Sequence, residues 1–372
     1  CNRIPTKVSS MKLGVSIFPT DTTIEPGRLA GAVEDRGFES LWFPEHSHIP
    51  TSRVTPWGGR QDAPPLPEMY WRTHDQFVAL TAAAAATKTL RVASGITLVA
   101  QRDPIWLAKQ VASVDQLSGG RLLFGIGYGW NKEEMAQHGV DYTERRALLR
   151  EKVLMMKALW TEETAAYEGD LVSLESSWAW PKPLQQPHPP IVMGGSAGPK
   201  TFAHIVEFCD GWMPIYSSHR LTDKIADMHR VAEAAGRDPA TIEVGVFSAP
   251  RDTAKLIELA EAGVARAVFS LPPVEESIVL AKLDKYAAVA NSLGFDDIEP
   301  QNPQTLYSAT PAIATIRLGR SRTSSSPGTP FRFPYSSARS GPIYRAPITV
   351  AQRSSSSGSS LIVTSPSSKT KA

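Results

Sequence analysis

Short apolar runs alternate with helix-like stretches eight times between Met11 and Leu293 of this 372-residue chain. The runs are continuously apolar rather than alternating with polar residues, which is typical of strands that are covered on both faces. Eight strand–helix units in about 280 residues is the size and rhythm of a (β/α)8 barrel. The sequence therefore predicts an α/β fold of the TIM-barrel type. A doubly wound sheet is the alternative, because alternation alone does not separate the two.

Each predicted strand ends where a turn or helix signal begins. Thr73 followed three residues later by Gln76 predicts a capping box at a helix start. Gly236 predicts the end of a helix that carries one apolar face. The predicted strands span residues 13–18, 40–43, 91–98, 122–127, 190–195, 210–215, 242–247 and 266–271.

Two long segments interrupt the strand–helix rhythm. Residues 44–72 follow the second strand and are rich in Pro, Trp and Gly, whereas residues 163–189 precede the fifth strand and begin with AAYEGDLVSLE, which predicts a small hairpin. Loops that follow the strands of a barrel lie on its catalytic face. Residues 44–72 are therefore predicted to form a lid or a substrate wall, with a plain surface excursion as the alternative.

Both ends of the chain differ in character from residues 11–295, which we expect to form the barrel domain. Residues 296–372 are rich in Ser, Pro and Arg without a helical or strand period, so they are predicted to be a disordered tail. This tail is interpreted either as a basic segment for acidic partners or as read-through or out-of-frame sequence. Residues 1–10 are expected to be a disordered leader, with Met11 as the natural start.

Charge and composition exclude several classes of partner. No acidic residue follows Glu299, although nine Arg and Lys residues do, so the remainder of the chain is mildly acidic and shows no nucleic-acid face. No run of about 18 apolar residues predicts a membrane span, and the N-terminus lacks the apolar core of a signal peptide. A cytoplasmic location is expected by default. Cys1 and Cys209 do not form a disulfide framework or a metal cluster pattern.

The stretch GGRLLFGIGYGW, residues 119–130, carries three alternating glycines, Gly125, Gly127 and Gly129. A dinucleotide-binding loop needs G-x-G-x-x-G in the first strand–helix turn. Here the spacing is G-x-G-x-G, Trp130 follows, and three units precede it, so this interpretation fails. Alternating glycines instead leave one face of a strand without side chains, which would let a planar ring approach the backbone. The alternative is a strand pinched at a barrel corner.

A second glycine site follows the fifth predicted strand. Gly194, Gly195 and Ser196 precede a helix predicted to begin near Pro199. The N-terminus of a helix exposes unpaired N–H groups and a partial positive charge, which favours phosphate binding. Lys200 would add a point charge. An ordinary capped turn is the alternative.

His46 follows the second strand and is the candidate proton donor or acceptor, because imidazole exchanges protons near neutral pH. Glu45 either orients His46 or is a structural salt-bridge partner at the barrel rim. His46 and His48 also match an H-x-H metal pair. We expect no metal, because His204 in a helix and His219 beyond a strand end do not complete a ligand shell.

Several phrases of the sequence are more specific than barrel patterning. They are GFESLWFPEH, LAKQVASVDQLSGGRL and KPLQQPHPPIVMGGS, within a match that covers roughly residues 11–293. The chain resembles the bacterial luciferase-like superfamily and, within it, F420-dependent oxidoreductases. The resemblance implies a TIM barrel that binds a flavin-like ring at its C-terminal mouth, often as a homodimer. It also implies a non-proline cis peptide around Leu98–Val99.

By the same resemblance, the ring lies near strand-end residues and the phosphate lies near Gly195 and Ser196. The cofactor-binding residues expected on this basis are Phe18, His46, Thr97, Leu98, Val99, Gly127, Gly129, Trp130, Gly194, Gly195 and Ser196. His46 and Glu45 are the expected catalytic residues. F420-dependent sugar-phosphate dehydrogenases resemble this chain but carry a Glu where Trp130 stands. Since Trp130 cannot transfer a proton, it is expected to wall an apolar pocket instead.

The expected function is hydride transfer between coenzyme F420 and a small organic substrate, with His46 handling the proton. One alternative keeps the fold and uses FMN and O2 in a monooxygenase. Another is a barrel that binds a flavin or deazaflavin without catalysis. These three hypotheses share one fold and differ in cofactor and reaction.

Overall fold

In the computed structural model, the described part of the chain comprises residues 11–216 and 221–294. Within these residues, eight parallel strands close into a barrel in the order β1-β10-β9-β8-β7-β4-β3-β2. The strands are β1 (Lys12–Ser16), β2 (Ser40–Phe43), β3 (Arg91–Ser94), β4 (Leu122–Gly127), β7 (Ile191–Gly194), β8 (Gly211–Trp212), β9 (Glu243–Phe247) and β10 (Arg266–Ser270). The predicted TIM barrel is confirmed, and the doubly wound alternative is wrong because β1 pairs with both β2 and β10.

The remaining strands form the small hairpin predicted between residues 163 and 189. They are β5 (Ala165–Glu168) and β6 (Ser173–Ser177), paired antiparallel. The helices are α1 (Pro26–Glu34), α2 (Met69–Arg72), α3 (Gln76–Ala85), α4 (Pro104–Ser118), α5 (Lys132–Gln137), α6 (Arg145–Thr161), α7 (Pro199–Phe208), α8 (Leu221–Ala234), α9 (Thr253–Glu261) and α10 (Glu276–Ser292). In the described ranges, no helix has the length and apolar character needed to cross a membrane.

The capping box predicted at Thr73 is wrong. Asp75 is the N-cap of α3, and its carboxylate accepts a hydrogen bond from the backbone N–H of Val78 at 2.9 Å. Thr73 instead has extended backbone and forms an isolated bridge with Thr20. Asp is as good an N-cap as Thr, and the pairing with Thr20 keeps Thr73 outside the helix.

The apolar core lies in two layers. The larger layer packs the outer faces of the strands against the helices and includes Leu41, Leu80 and Val111. A smaller layer fills the barrel interior below the mouth and consists of Trp42, Ala93, Leu123, Val192, Met213 and Val268. The barrel is therefore packed through its middle, and space for a ligand remains only at an end.

A network of charges closes the end of the barrel where the strands begin. Arg266 at the start of β10 donates to both carboxylate oxygens of Glu39 at 2.8 and 3.0 Å, and it also contacts Glu243. Lys12 pairs with Glu243 from the start of β1. Arg266 is only 3% exposed, so the paired carboxylates compensate a buried cation.

Candidate active site at the barrel mouth

His46 follows β2 at the mouth and is held by a carboxylate from the loop after β4. Its Nδ1 lies 2.7 Å from Oε2 of Glu134 in α5, and both side chains are buried. An ionised Glu134 accepts hydrogen bonds only, so Nδ1 of His46 donates. This contact sets the tautomer of a neutral imidazole and leaves Nε2 as its proton acceptor.

The environment of Glu134 favours its ionised form. Burial by itself would raise the pKa of this carboxyl, but the hydrogen bond and charge of His46 lower it below its usual value. The Gln101 side-chain amide and the Ser47 backbone N–H add hydrogen bonds to Oε1, each at 3.2 Å. Asn131 caps the short helix from which Glu134 projects. His46 is therefore oriented by a fully buried anion.

Glu45 takes the second of the two roles considered from the sequence, that of a salt-bridge partner. It pairs with the guanidinium of Arg102 and accepts the backbone N–H of Leu98 at 2.6 Å. Arg102 also contacts Asp75 at 3.3 Å. Glu45 thus ties the end of β2 to the turn after β3, while Glu134 orients His46.

The space beside the alternating glycines is filled by other atoms of the protein, so this strand face is not bare. A Cβ on Gly125 would overlap the carbonyl oxygen of Ser94, and a Cβ on Gly127 would lie 2.6 Å from Cδ1 of Ile96. A Cβ on Gly194 would lie 2.5 Å from Cγ2 of the same isoleucine. The expectation that the glycines expose backbone to a ring is corrected. Ile96, half-buried, covers Gly127 and Gly194 and lines the floor of the mouth.

The predicted non-proline cis peptide is present but lies between Gly95 and Ile96, not around Leu98–Val99. Gln76 of α3 holds this segment, because its amide donates to the carbonyls of Phe43 at 2.7 Å and Ile96 at 3.3 Å. The segment therefore has a polar side-chain anchor.

Three of the residues expected near the ring are buried below the surface of the mouth. They are Thr97, Leu98 and Val99, each at most 4% exposed. The hydroxyl of Thr97 donates to Oε1 of Gln76 at 2.7 Å. Its backbone N–H and carbonyl pair with residues of β4. Thr97 supports the floor of the mouth from behind, and Ile96 presents its side chain there.

Aromatic rings surround His46. Tyr70 of α2 lies 5.0 Å from the imidazole between ring centres, and Trp130 lies 5.8 Å from it. Phe18 packs on Tyr70 at 4.7 Å, and Trp57 lies 5.9 Å from the same ring. Trp57 and Tyr70 both come from residues 44–72. The expected role of that segment as a wall of the mouth matches where these rings lie.

Helix α7 begins at Pro199, as predicted, with Gly198 as an N-cap that offers no side-chain acceptor. Ser196 before it is exposed. Arg146 of α6 stacks on the ring of Tyr128 at 3.9 Å and points a guanidinium nitrogen at the hydroxyl of Thr201, 3.5 Å away. A cation thus accompanies the N-terminal N–H groups of α7.

Tyr128 and His204 form a neutral pair behind this helix end. Burial raises the pKa of Tyr128 to about 12, although the nearby Arg146 opposes the shift. Burial also lowers the pKa of His204. The hydroxyl of Tyr128 lies 2.9 Å from Nδ1 of His204, which suits a neutral phenol donating to a neutral imidazole.

A cavity of about 300 Å³ opens beside His46, on the rim between α3 and the turn after β3. Polar groups line most of it. They are Glu45, His46, Ser47, Thr73, Asp75, Gln76, Gln101, Arg102 and His138, with Leu98 as the apolar member. His46 therefore borders both this cavity and the aromatic wall.

The His46–His48 pair does not converge on one point. Nε2 of His48 lies 2.6 Å from Oε1 of Gln137, whereas His46 turns to Glu134. Across residues 11–216 and 221–294, no group of three or more His, Cys, Asp or Glu side chains has metal-binding geometry. His219 lies outside the described residues, as do residues 1–10 and 295–372.

Sequence reasoning missed Glu134, Tyr70 and Ile96. Glu134 had a usable signal, because it lies four residues after Trp130 and so belongs to the same mouth. Tyr70 lies within a segment predicted as a wall, yet nothing in the pattern singles it out. Ile96 is apolar and lies within the predicted strand 91–98, where the pattern gives it no role separate from its neighbours.

Several known proteins are similar to this chain in sequence. The family model described as luciferase-like monooxygenase matches residues 11–297. An uncharacterized protein of Mycobacterium tuberculosis (strain ATCC 25618 / H37Rv) is 38% identical over 280 residues, 75% of this chain and 98% of the relative. An F420-dependent glucose-6-phosphate dehydrogenase of Kineococcus radiotolerans is 28% identical over 258 residues, 63% of this chain and 67% of the relative.

Another relative is named for FMN, and the similar solved structures include both a monooxygenase and an F420-dependent reductase. An FMNH2-dependent dimethylsulfone monooxygenase of Pseudomonas putida is 35% identical over 127 residues, 33% of this chain and 35% of the relative. Among solved structures, a monooxygenase from Streptomyces bottropensis has a TM-score of 0.61 at 19% identity and covers 76% of this chain and 99% of its own. The coenzyme F420-dependent tetrahydromethanopterin reductase from Methanopyrus kandleri has a TM-score of 0.58 at 18% identity, covering 76% and 97%.

Proposed function

The chain belongs to the luciferase-like monooxygenase family, and from that membership and the mouth geometry we propose that it transfers a hydride between coenzyme F420 and a small organic substrate. The observation that carries the proposal is His46, a buried imidazole oriented by an ionised Glu134 and surrounded by aromatic rings. Such a site suits one proton transfer beside a planar ligand.

The residues present fit a flavin-like group. Ile96 forms an apolar floor over Gly127 and Gly194, and the rings of Tyr70 and Trp130 lie beside His46. A planar tricyclic ring needs such apolar surfaces on its faces and few polar contacts at its edge. When bound, F420 supplies hydride chemistry, and the protein supplies orientation and the proton.

The proposed role of His46 follows from its tautomer. Nδ1 donates to Glu134, so Nε2 is the atom that takes a proton from a substrate hydroxyl or returns one to a carbonyl. Glu134 stabilises the imidazolium that forms when Nε2 accepts a proton. Tyr70 and Trp130 pack against the imidazole, which also borders the cavity described above.

We propose the N-terminus of α7 as the phosphate end of the cofactor site. The N–H groups of its first turn and the guanidinium of Arg146 provide a positive potential there. Ser196 and Lys200, both exposed, are available at the same end. Arg146 was absent from the sequence-based prediction, because its position in α6 is distant in sequence from the glycines.

Equilibrium binding of F420 and of FMN to the purified chain tests the proposal. Tight F420 binding with weak FMN binding is the expected result, and Arg146→Gln should weaken it at least tenfold. Arg237→Gln serves as the charge-matched control, because Arg237 contacts carbonyls near the C-terminus of α7 rather than its N-terminus. Binding of neither cofactor would refute the assignment.

An FMN-dependent monooxygenase is the second candidate. It is favoured by the 35% identity over 127 residues to an FMNH2-dependent enzyme, a local similarity higher than that to the F420-dependent relative above. Preference for FMN, together with O2 consumption when reduced FMN is supplied, would select this candidate over the first.

We also propose that the chain forms a homodimer through the outer face of α4. Trp106 is 70% exposed and Trp180 is 60% exposed. The Nζ of Lys109 donates to the carbonyl of Trp180, which places the segment after β6 against α4. Large exposed apolar side chains close together are typical of protein interfaces. Sedimentation equilibrium should give a dimer, and Trp106→Glu should give a monomer.

A further inference from the structure

Arg53 is a cation at the mouth without an acidic partner. It lies in the segment after β2 and is half-buried, with its guanidinium carbon 5.7 Å from the ring centre of Trp130. One nitrogen of its fork donates to the carbonyl of Thr55. Within residues 11–216 and 221–294, no carboxylate lies within 4 Å of this guanidinium, so most of its donors are available to a ligand.

Three carboxylates near the mouth make contacts with groups other than Arg53. Glu134 binds His46, and Glu45 binds Arg102. One carboxylate oxygen of Glu133 accepts hydrogen bonds from the backbone N–H groups of Val54 and Thr55, each at 3.0 Å. Among the described residues, none of these three carboxylates forms an ion pair with Arg53, so its charge is not neutralised by a direct contact.

The position of Arg53 is built into the fold. Glu133 accepts two backbone hydrogen bonds that hold residues 54 and 55 against α5, which begins two residues after Trp130. Arg53 and His46 lie about equally far from one indole, since the imidazole centre is 5.8 Å from the ring of Trp130 and the guanidinium carbon is 5.7 Å from it. A ligand beside Trp130 would therefore lie near both an imidazole and a guanidinium.

We propose that the substrate of this site is an aromatic or alkyl carboxylate, and that Arg53 selects its carboxylate group. The inference rests on the proposed function for the reaction at His46. The planar fork of arginine matches a carboxylate in two parallel hydrogen bonds, and the rings of Trp130, Tyr70 and Trp57 match an apolar skeleton.

Binding of two matched probes tests this assignment. The probes are 4-nitrobenzoate and its neutral counterpart 4-nitrobenzamide, titrated into the full chain and followed by quenching of tryptophan fluorescence. The carboxylate should bind at least tenfold tighter than the amide. Arg53→Gln and Arg53→Met should both remove this preference, whereas binding of the amide should change less than threefold. Arg60→Gln, an exposed arginine in the same segment, should leave the preference intact.

Several results would overturn the proposal. They are equal binding of the two probes, saturable binding of neither, and a preference that survives in both Arg53 variants with unchanged thermal unfolding. Tighter binding of 4-nitrobenzenesulfonate than of 4-nitrobenzoate would overturn the choice of carboxylate. F420 and FMN titrations of the same samples separate this proposal from the proposed function. If neither cofactor binds, the hydride-transfer assignment fails, and the probe preference still decides the role of Arg53.

Discussion

Replacing Glu39 by glutamine should destabilise the barrel by about 3 kcal/mol at neutral pH. Burial raises the pKa of Glu39, but the charge and hydrogen bonds of Arg266 more than offset this and lower it from 4.5 to about 2. A pKa difference of one corresponds to about 1.36 kcal/mol, so lowering the pKa of Glu39 from 4.5 to about 2 stabilises the fold by about 3 kcal/mol. Glutamine also leaves the buried Arg266 with Glu243 as its remaining partner.

The pH dependence follows from the direction of the shift. Because the pKa of Glu39 is lower in the folded chain, its ionised form stabilises the fold fully above about pH 5. This contribution is lost as the pH falls from about 4.5 towards 2. At pH 3.5 the difference between wild type and Glu39→Gln should have shrunk by about 1.4 kcal/mol.

Urea unfolding followed by circular dichroism at pH 7, 5 and 3.5 measures these differences. Glu175→Gln, in the exposed part of β6, is the matched control and should change stability by less than about 0.5 kcal/mol. A Glu39→Gln penalty below 1 kcal/mol at pH 7 would refute the reasoning. So would a penalty that stays constant between pH 7 and 3.5.

Three further predictions concern the mouth and its supports. Gly125→Ala should prevent stable folding, because its Cβ would overlap a backbone carbonyl. Gly195→Ala, with its nearest neighbour 3.8 Å away, should fold with a thermal unfolding temperature near that of wild type. In proton NMR, the strongly deshielded Nδ1 resonance of His46 should be lost in Glu134→Gln and kept in Glu133→Gln; its persistence in the first variant would contradict the assigned contact. Asp75→Ala should lower stability by about 1 kcal/mol through the lost N-cap, and Thr73→Ala should lower it by less in the same thermal scan. A larger loss in Thr73→Ala would favour Thr73 as the N-cap and contradict this assignment.

Much of the barrel could be predicted because its signals are local. A strand buried on both faces needs consecutive apolar residues, and the start of a helix needs a side chain that accepts a hydrogen bond from a backbone N–H of the first turn. Both patterns are therefore visible in short windows of sequence. Errors occurred where two local signals competed. Thr73 and Asp75 are both acceptable N-caps, and the pairing of Thr73 with Thr20, 53 positions away, decided between them.

The glycines show the limit of local reasoning most clearly. Their spacing predicted a strand face left bare for a planar ring, whereas the structure fills the space beside Gly125 and Gly127 with other atoms of the chain. What excludes the Cβ atoms is a carbonyl of Ser94 and the side chain of Ile96, both from β3 and its continuation. Only the register of β3 on β4 brings these atoms together.

Local sequence patterns predicted the barrel, its hairpin and the position of His46 at the mouth, because parallel strands place their carboxyl ends on one face of a barrel. Tertiary structure alone decided which carboxylate serves His46. Glu45 is adjacent to it in sequence but faces Arg102, whereas Glu134 is 88 positions away and lies 2.7 Å from Nδ1. Neighbouring side chains near a strand end point in different directions, and the barrel brings together the ends of strands that are far apart along the chain.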